Sequence, residues 1–135
     1  MKRREAREKA VQTLFQLDNT EMTVEEAIAY IVDKPVNRFY DRLVRGTLEN
    51  KTAIDAVLVQ KLENWSLDRL PKIERTVLRL AVFELLFNDD VPHRVVLNEA
   101  IDLCKTFSDE KSGRFVNGVL SKFDENNEEG MEESE

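Results

Sequence analysis

One cysteine, one histidine, three prolines and four glycines are all that 135 residues hold of these types, and each shortage excludes something. Cys104 alone cannot close an intramolecular disulfide. With no second cysteine or neighbouring histidine it has no metal-ligand set to join, so a reducing, cytoplasmic setting with no metal site is expected. The lone histidine, His93, follows Pro92 with no Ser, Cys or acid at a spacing that suggests a triad or dyad, which leaves nucleophilic catalysis without local support. G-x-x-x-x-G-K-[ST], G-x-G-x-x-G and H-E-x-x-H are all missing, and with them the local signals for nucleotide or zinc chemistry. The expectation is a protein with no catalytic residues and no cofactor, not an enzyme.

Long apolar runs are missing too. The most apolar stretch, Leu78 to Phe87, is interrupted by Arg79 and Glu84 and is too short to span a bilayer. The N-terminus is charged like a secretion signal, but no apolar segment follows it. A soluble protein without a membrane partner is expected.

What the chain does have is helical patterning. Charged residues make up 35%, and Ala, Leu, Glu, Lys and Arg recur at 3.6-residue spacing, so an all-α domain is expected. A chain of this length buries roughly 65–70% of the surface its unfolded form exposes, enough for one core. Ala6, Ala10, Leu14 and Leu17 form a stripe from Arg3 to Leu17. Thr23-Val24-Glu25-Glu26 reads as a capping box opening a short second helix, which Lys34-Pro35 ends. One continuous pattern from Asn37 to Leu62 predicts a helix of about 25 residues, the spine of the domain. A brief turn at Leu67 and Leu70, a helix through Ile73 to Leu85, one opened by Pro92 and one capped by Ser108 or Asp109 complete about seven helices.

The net charge of -7 argues against a polyanionic partner until its distribution is considered. Asp124 to Glu135 holds seven acids and no base, so residues 1–123 are neutral overall, while residues 1–9 hold five bases against two acids. Two units follow: a helical domain over 1–123 and a disordered acidic tail over 124–135 that lies across the basic start at low salt. Lys2, Arg3, Arg4 and Arg7 are the first candidates for phosphate contact. The three arginines read as exposed helix-start charges whose removal leaves the fold intact.

The second candidate is Lys111-Ser112-Gly113-Arg114-Phe115-Val116-Asn117-Gly118. A loop ahead of a helix offers free N–H groups, Lys111 and Arg114 add charge, and Phe115 is either a stacking platform for an unpaired base or core, since Phe115, Val119 and Phe123 recur at helical spacing. Asn117-Gly118 in mid-helix is costly. Either a close helix crossing over Gly118 or an Asn117 amide that meets RNA would account for it. The surplus apolar residues around Val82, Phe83, Leu86 and Phe87 mark full burial or a protein contact.

Four motifs carry a resemblance. Ala10 to Phe15 reads A-V-Q-x-L-F, Ile73 to Ala81 reads I-E-R-x-V-L-R-L-A, Asp90 to Ala100 reads D-V-P-x-x-V-x-x-N-E-A, and Phe115 to Leu120 reads F-V-N-G-V-L. In this order they resemble the NusB family of transcription antitermination factors along nearly the whole chain. The resemblance implies two packed helical bundles that bind boxA-type single-stranded RNA of ribosomal RNA leader transcripts. It also implies pairing with NusE, a small-subunit ribosomal protein, within the RNA polymerase elongation complex, as a monomer or homodimer. By position, Lys2, Arg3, Arg4, Arg7 and Gln12 match one RNA-contacting segment, and Lys111, Arg114, Phe115 and Asn117 the other. Glu74, Arg79, Phe83 and Glu84 fall on the helix that contributes to the NusE surface. The alternatives are a NusB-like scaffold or RNA-binding helper acting without NusE, similar to the N-terminal region of some ribosomal RNA cytosine methyltransferases, and a purely protein-binding scaffold. No cofactor-binding domain follows in this sequence, so methyl transfer is not expected.

Overall fold

Seven α-helices and one 3-10 turn make up the regular structure of the described residues, and no strand is present among them. The computed structural model describes residues 1–33, 37–88 and 90–133, with side chains as far as Phe123. The expected Lys34-Pro35 break and Asp89 lie outside the described residues, while the segment from Asp124, expected as a disordered tail, carries on the backbone of α7 as far as Glu133. The elements are α1 (Arg3–Asn19), α2 (Val24–Ile31), α3 (Arg38–Glu49), α4 (Lys51–Lys61), a 3-10 turn (Leu67–Arg69), α5 (Lys72–Phe87), α6 (His93–Phe107) and α7 (Glu110–Glu133).

The helix starts follow local chemistry. Thr23 Oγ1 accepts from the Glu26 amide at 3.1 Å while Glu26 Oε1 accepts from the Thr23 amide at 2.9 Å, the reciprocal capping box the sequence predicts. Asn37 accepts from the Tyr40 amide to start α3, and Asp109, one of the two expected caps, accepts from the Ser112 amide at 2.8 Å to start α7.

The expected spine is broken. The Asn37 to Leu62 pattern forms two helices that meet at Asn50, whose backbone (φ -105, ψ 12) leaves the helical region. Its side-chain amide donates to the Gly46 carbonyl at 2.8 Å, so Asn50 supplies an end that an unbroken helix would not need. Periodicity carried over the break because α3 and α4 both bury one face.

The spine is α5. It packs against α1 and α3 on the N-terminal side and against α4, α6 and α7 from the rest of the chain, and nine of its sixteen residues are buried. A helix so surrounded has to be apolar nearly all round, which accounts for the surplus at Val82 and Phe83. One continuous core joins all seven helices. Cys104 lies in it, and burial raises its thiol pKa to about 11, which leaves the thiol protonated and unreactive at neutral pH.

Candidate nucleic-acid interface

The start of α1 splits its basic residues among three environments. Lys2, Arg3 and Arg4 are exposed. The Arg3 guanidinium sits 4.5 Å from the centre of the Phe39 ring on α3, a cation held over an aromatic face with its outer side in water. Arg4 turns the other way and donates to Glu99 at 3.2 Å and Asp102 at 2.7 Å, both on α6.

Arg7 is not at the surface. It is 3% exposed and makes two 2.9 Å hydrogen bonds to the equally buried Glu84 of α5, with its guanidinium 5.1 Å from Phe39. The expectation that Arg3, Arg4 and Arg7 form one exposed face is therefore corrected. Arg7 falls within the arc of Ala6, Ala10, Val11 and Leu14, the stripe that buries against α3 and α5. Gln12 lies about 140° around the helix from Arg7 and lines an apolar depression with Phe15, Ile31, Ile73 and Phe107, apart from the arginines it was expected to accompany.

The second segment lies on α7. Lys111, Arg114 and Asn117 are exposed and Phe115 is half-buried. Phe115 meets the edge of Trp65 at 5.6 Å between ring centres and 70° between planes, so it is both core and rim, which reconciles the two sequence readings. Gly118 is not crossed closely by any helix, because a Cβ built on it meets nothing within 4 Å. The close crossing of α6 and α7 is at Gly113, where that atom would stand 3.3 Å from Ile101 Cγ2.

Trp65, 55% exposed, and its neighbours Lys61 and Lys122 are the residues that sequence reasoning missed. Asn64, at φ 64, is the one described non-glycine residue with positive φ. It adopts the left-handed turn that asparagine tolerates and so sets Trp65 beside α7. Lys122 Nζ donates to the Lys61 carbonyl at 2.8 Å, which fastens the loop after α4 to α7. The available signal was the chain's single tryptophan in a polar Asn-Trp-Ser break rather than on an apolar stripe.

The two basic ends flank α6. Arg4 is bonded to its Glu99 and Asp102, and Arg114 shares a depression with its Ile101 and Lys105. One helix therefore separates the cations of α1 from those of α7.

The expected partner-facing residues fare differently. Phe83 and Glu84 are each 3% exposed, Phe83 lying over Gly46 and Glu84 on Arg7. Arg79 binds Asp55 through two bonds of 2.8 and 3.0 Å. Phe83 and Glu84 are inward-facing because α5 is enclosed, whereas Glu74 and Arg79 keep intermediate positions.

An all-helical chain that sets exposed cations and an aromatic pair at its surface has the features of a binding protein. Comparison with known proteins agrees: the chain is 67% identical over 125 residues, 93% of its own length and 98% of the relative's, to the transcription antitermination protein NusB of Lysinibacillus sphaericus. Among solved structures it is similar to T. maritima NusB (TM-score 0.81, 37% identity, 90% of this chain and 89% of that one). It is also similar to a chain in a complex of the antitermination factors NusB and NusE with dsRNA (TM-score 0.79, 33% identity, 89% of this chain and 93% of that one). The class is thus that of the transcription antitermination proteins. The NusB family model matches residues 4–125, and the chain belongs to that family.

Proposed function

We propose that residues 1–123 form an RNA-binding domain that takes boxA-type single-stranded RNA of ribosomal RNA leader transcripts together with NusE, and so joins the RNA polymerase elongation complex. The observation that carries this reading is the exposure of Lys2 and Arg3 at the start of α1 and of Lys111 and Arg114 on α7. The open Trp65 and Phe115 pair favours unpaired bases, since a ring can stack only on a base face that pairing has not buried in a helix. For NusE, the apolar depression of Phe15, Ile31, Ile73 and Phe107 beside the half-exposed Glu74 is a better surface than the enclosed Phe83 and Glu84. An exposed apolar hollow with a polar rim is the form a protein contact takes.

Fluorescence anisotropy with labelled boxA-like RNA, single-stranded and as a duplex, with and without NusE across a salt series, tests the reading. Lys2, Arg3, Lys111 and Arg114 as phosphate contacts give a slope of log affinity against log salt of about -3, at roughly -0.7 per contact to a single strand. Single-stranded RNA should bind more tightly than duplex, NusE should tighten it further, and Arg114→Ala should flatten the slope by about 0.7. RNA binding that is indifferent to NusE would favour the alternative of an RNA-binding helper acting alone. Absence of RNA binding at low salt would overturn both.

A further inference from the structure

Gly118 has a cost that the fold does not explain. It sits in the middle of α7 with an ordinary helical backbone, where glycine is less favourable than alanine. Nothing of the protein stands within 4 Å of where its Cβ would be, and its neighbour Gly113, by contrast, has α6 against it. What Gly118 faces is a cavity of about 320 Å³ between α7 and the loop after α4, at the lower end of the roughly 300–1,000 Å³ usual for ligand clefts. Trp65 and Phe115 stand on its walls with Lys61, Arg114 and Lys122 around them. Its one acid, Glu63, is 3.4 Å from Lys122 Nζ.

Resting on the RNA-binding reading above, we infer that this cavity is a base-binding subsite, in which one unpaired nucleobase of single-stranded RNA lies over Gly118 and stacks on Trp65 while Lys61, Arg114 and Lys122 meet the flanking phosphates. An aromatic face with surrounding cations is the pairing of chemistries that single-stranded nucleic acid requires, and a residue without a side chain lets a flat ligand approach the helix backbone. Phe115 packs against the indole in a T-shaped pair, and Trp65 is still 55% exposed, so it keeps open surface for a base.

Trp65 is the only tryptophan of the chain, so its emission reports on the subsite directly. Titration with a short single-stranded RNA should quench that emission with the same midpoint as anisotropy of the labelled RNA, whereas inorganic polyphosphate, which has no bases, should leave it unchanged. Gly118→Ala should raise Tm by about 4 °C, because it removes a helix-interior glycine into open space, and yet weaken RNA binding. Trp65→Ala should weaken binding about tenfold, the loss of one stacked base, and Trp65→Phe should restore part of it. If RNA raises anisotropy while tryptophan emission is unchanged and both variants bind as tightly as wild type, the subsite is wrong and RNA binding stands. If anisotropy does not respond at all, the RNA reading fails and takes the subsite with it.

Discussion

Arg7→Ala should destabilise the protein by about 3–5 kcal/mol, since it leaves Glu84 buried and unpaired in the core. Against a total stability of roughly 5–15 kcal/mol, that is a large share. For a domain of this size the shift in Tm is about 10–20 °C. The geometry makes the loss severe: both partners are 3% exposed, the pair is bidentate at 2.9 Å on each side, and removing the guanidinium also uncovers one cation–π contact to Phe39. Arg3→Ala, by contrast, removes an exposed group and should leave thermal unfolding within about 0.5 kcal/mol of wild type. The sequence puts the two arginines in one class and the structure separates them. Thermal unfolding followed by circular dichroism at 222 nm distinguishes the two, and an Arg7→Ala variant as stable as wild type would contradict the buried-pair account. A double variant, Arg7→Met with Glu84→Leu, should recover much of the loss, because apolar residues of similar volume often replace a buried ion pair at no cost. RNA binding by Arg7→Ala, measured at a temperature where the variant is folded, should retain the wild-type salt slope, since the buried Arg7 meets no phosphate and so releases no counterion.

Gly46→Ala should destabilise by about 1–3 kcal/mol, the cost of overpacking a filled site. Gly46 is in the interior of α3, and a Cβ there would clash with the tip of the Phe83 ring on α5. Phe83 cannot swing aside freely, because it is 3% exposed and stacked on Phe87 with ring centres 6.1 Å apart and planes at 17°. The same substitution at Gly118 should be stabilising, because that position faces open space. Opposite signs at two mid-helix glycines are therefore expected in parallel thermal melts, and equal signs would sink the packing argument. Gly46→Ala combined with Phe83→Leu should lose less than the sum of the two single changes, as residues in contact are not additive.

The contrast between these glycines shows how much of the site was legible. Sequence reasoning singled out Asn117-Gly118 as an anomaly and offered a helix crossing or an RNA contact. It had no means of choosing, because the cost of a helical glycine is local while its compensation lies on another element. Phe115 was ambiguous for the same reason. Its spacing with Val119 and Phe123 correctly predicts an inward lean, but whether a residue at the edge of a stripe ends as core or rim depends on what stands opposite, here Trp65. The partner helix was misread in the other direction. Phe83 reads as surplus on one stripe, open to burial or a protein contact, and Glu84 as partner-facing by resemblance alone; only the number of helices around α5 makes them interior. A charged residue amid Val82, Phe83, Leu85 and Leu86 was itself a hint that a buried partner existed, though nothing in the sequence named Arg7.

Short-range chemistry was determined by the sequence alone. The all-α class, the Thr23 and Glu26 capping box, the Asp109 cap and the inward stripes of α1, α6 and α7 all follow from interactions within four residues, which the order of residues specifies directly. What joins distant segments was decided only in three dimensions: the burial of Arg7 on Glu84, the end of α3 at Asn50, the enclosure of α5, and the placing of Arg4 against α6 and of Arg114 beside Trp65. Periodicity says which face of a helix leaves water, but it does not say which other face it meets, and the pairing of faces decides which side chains are left exposed.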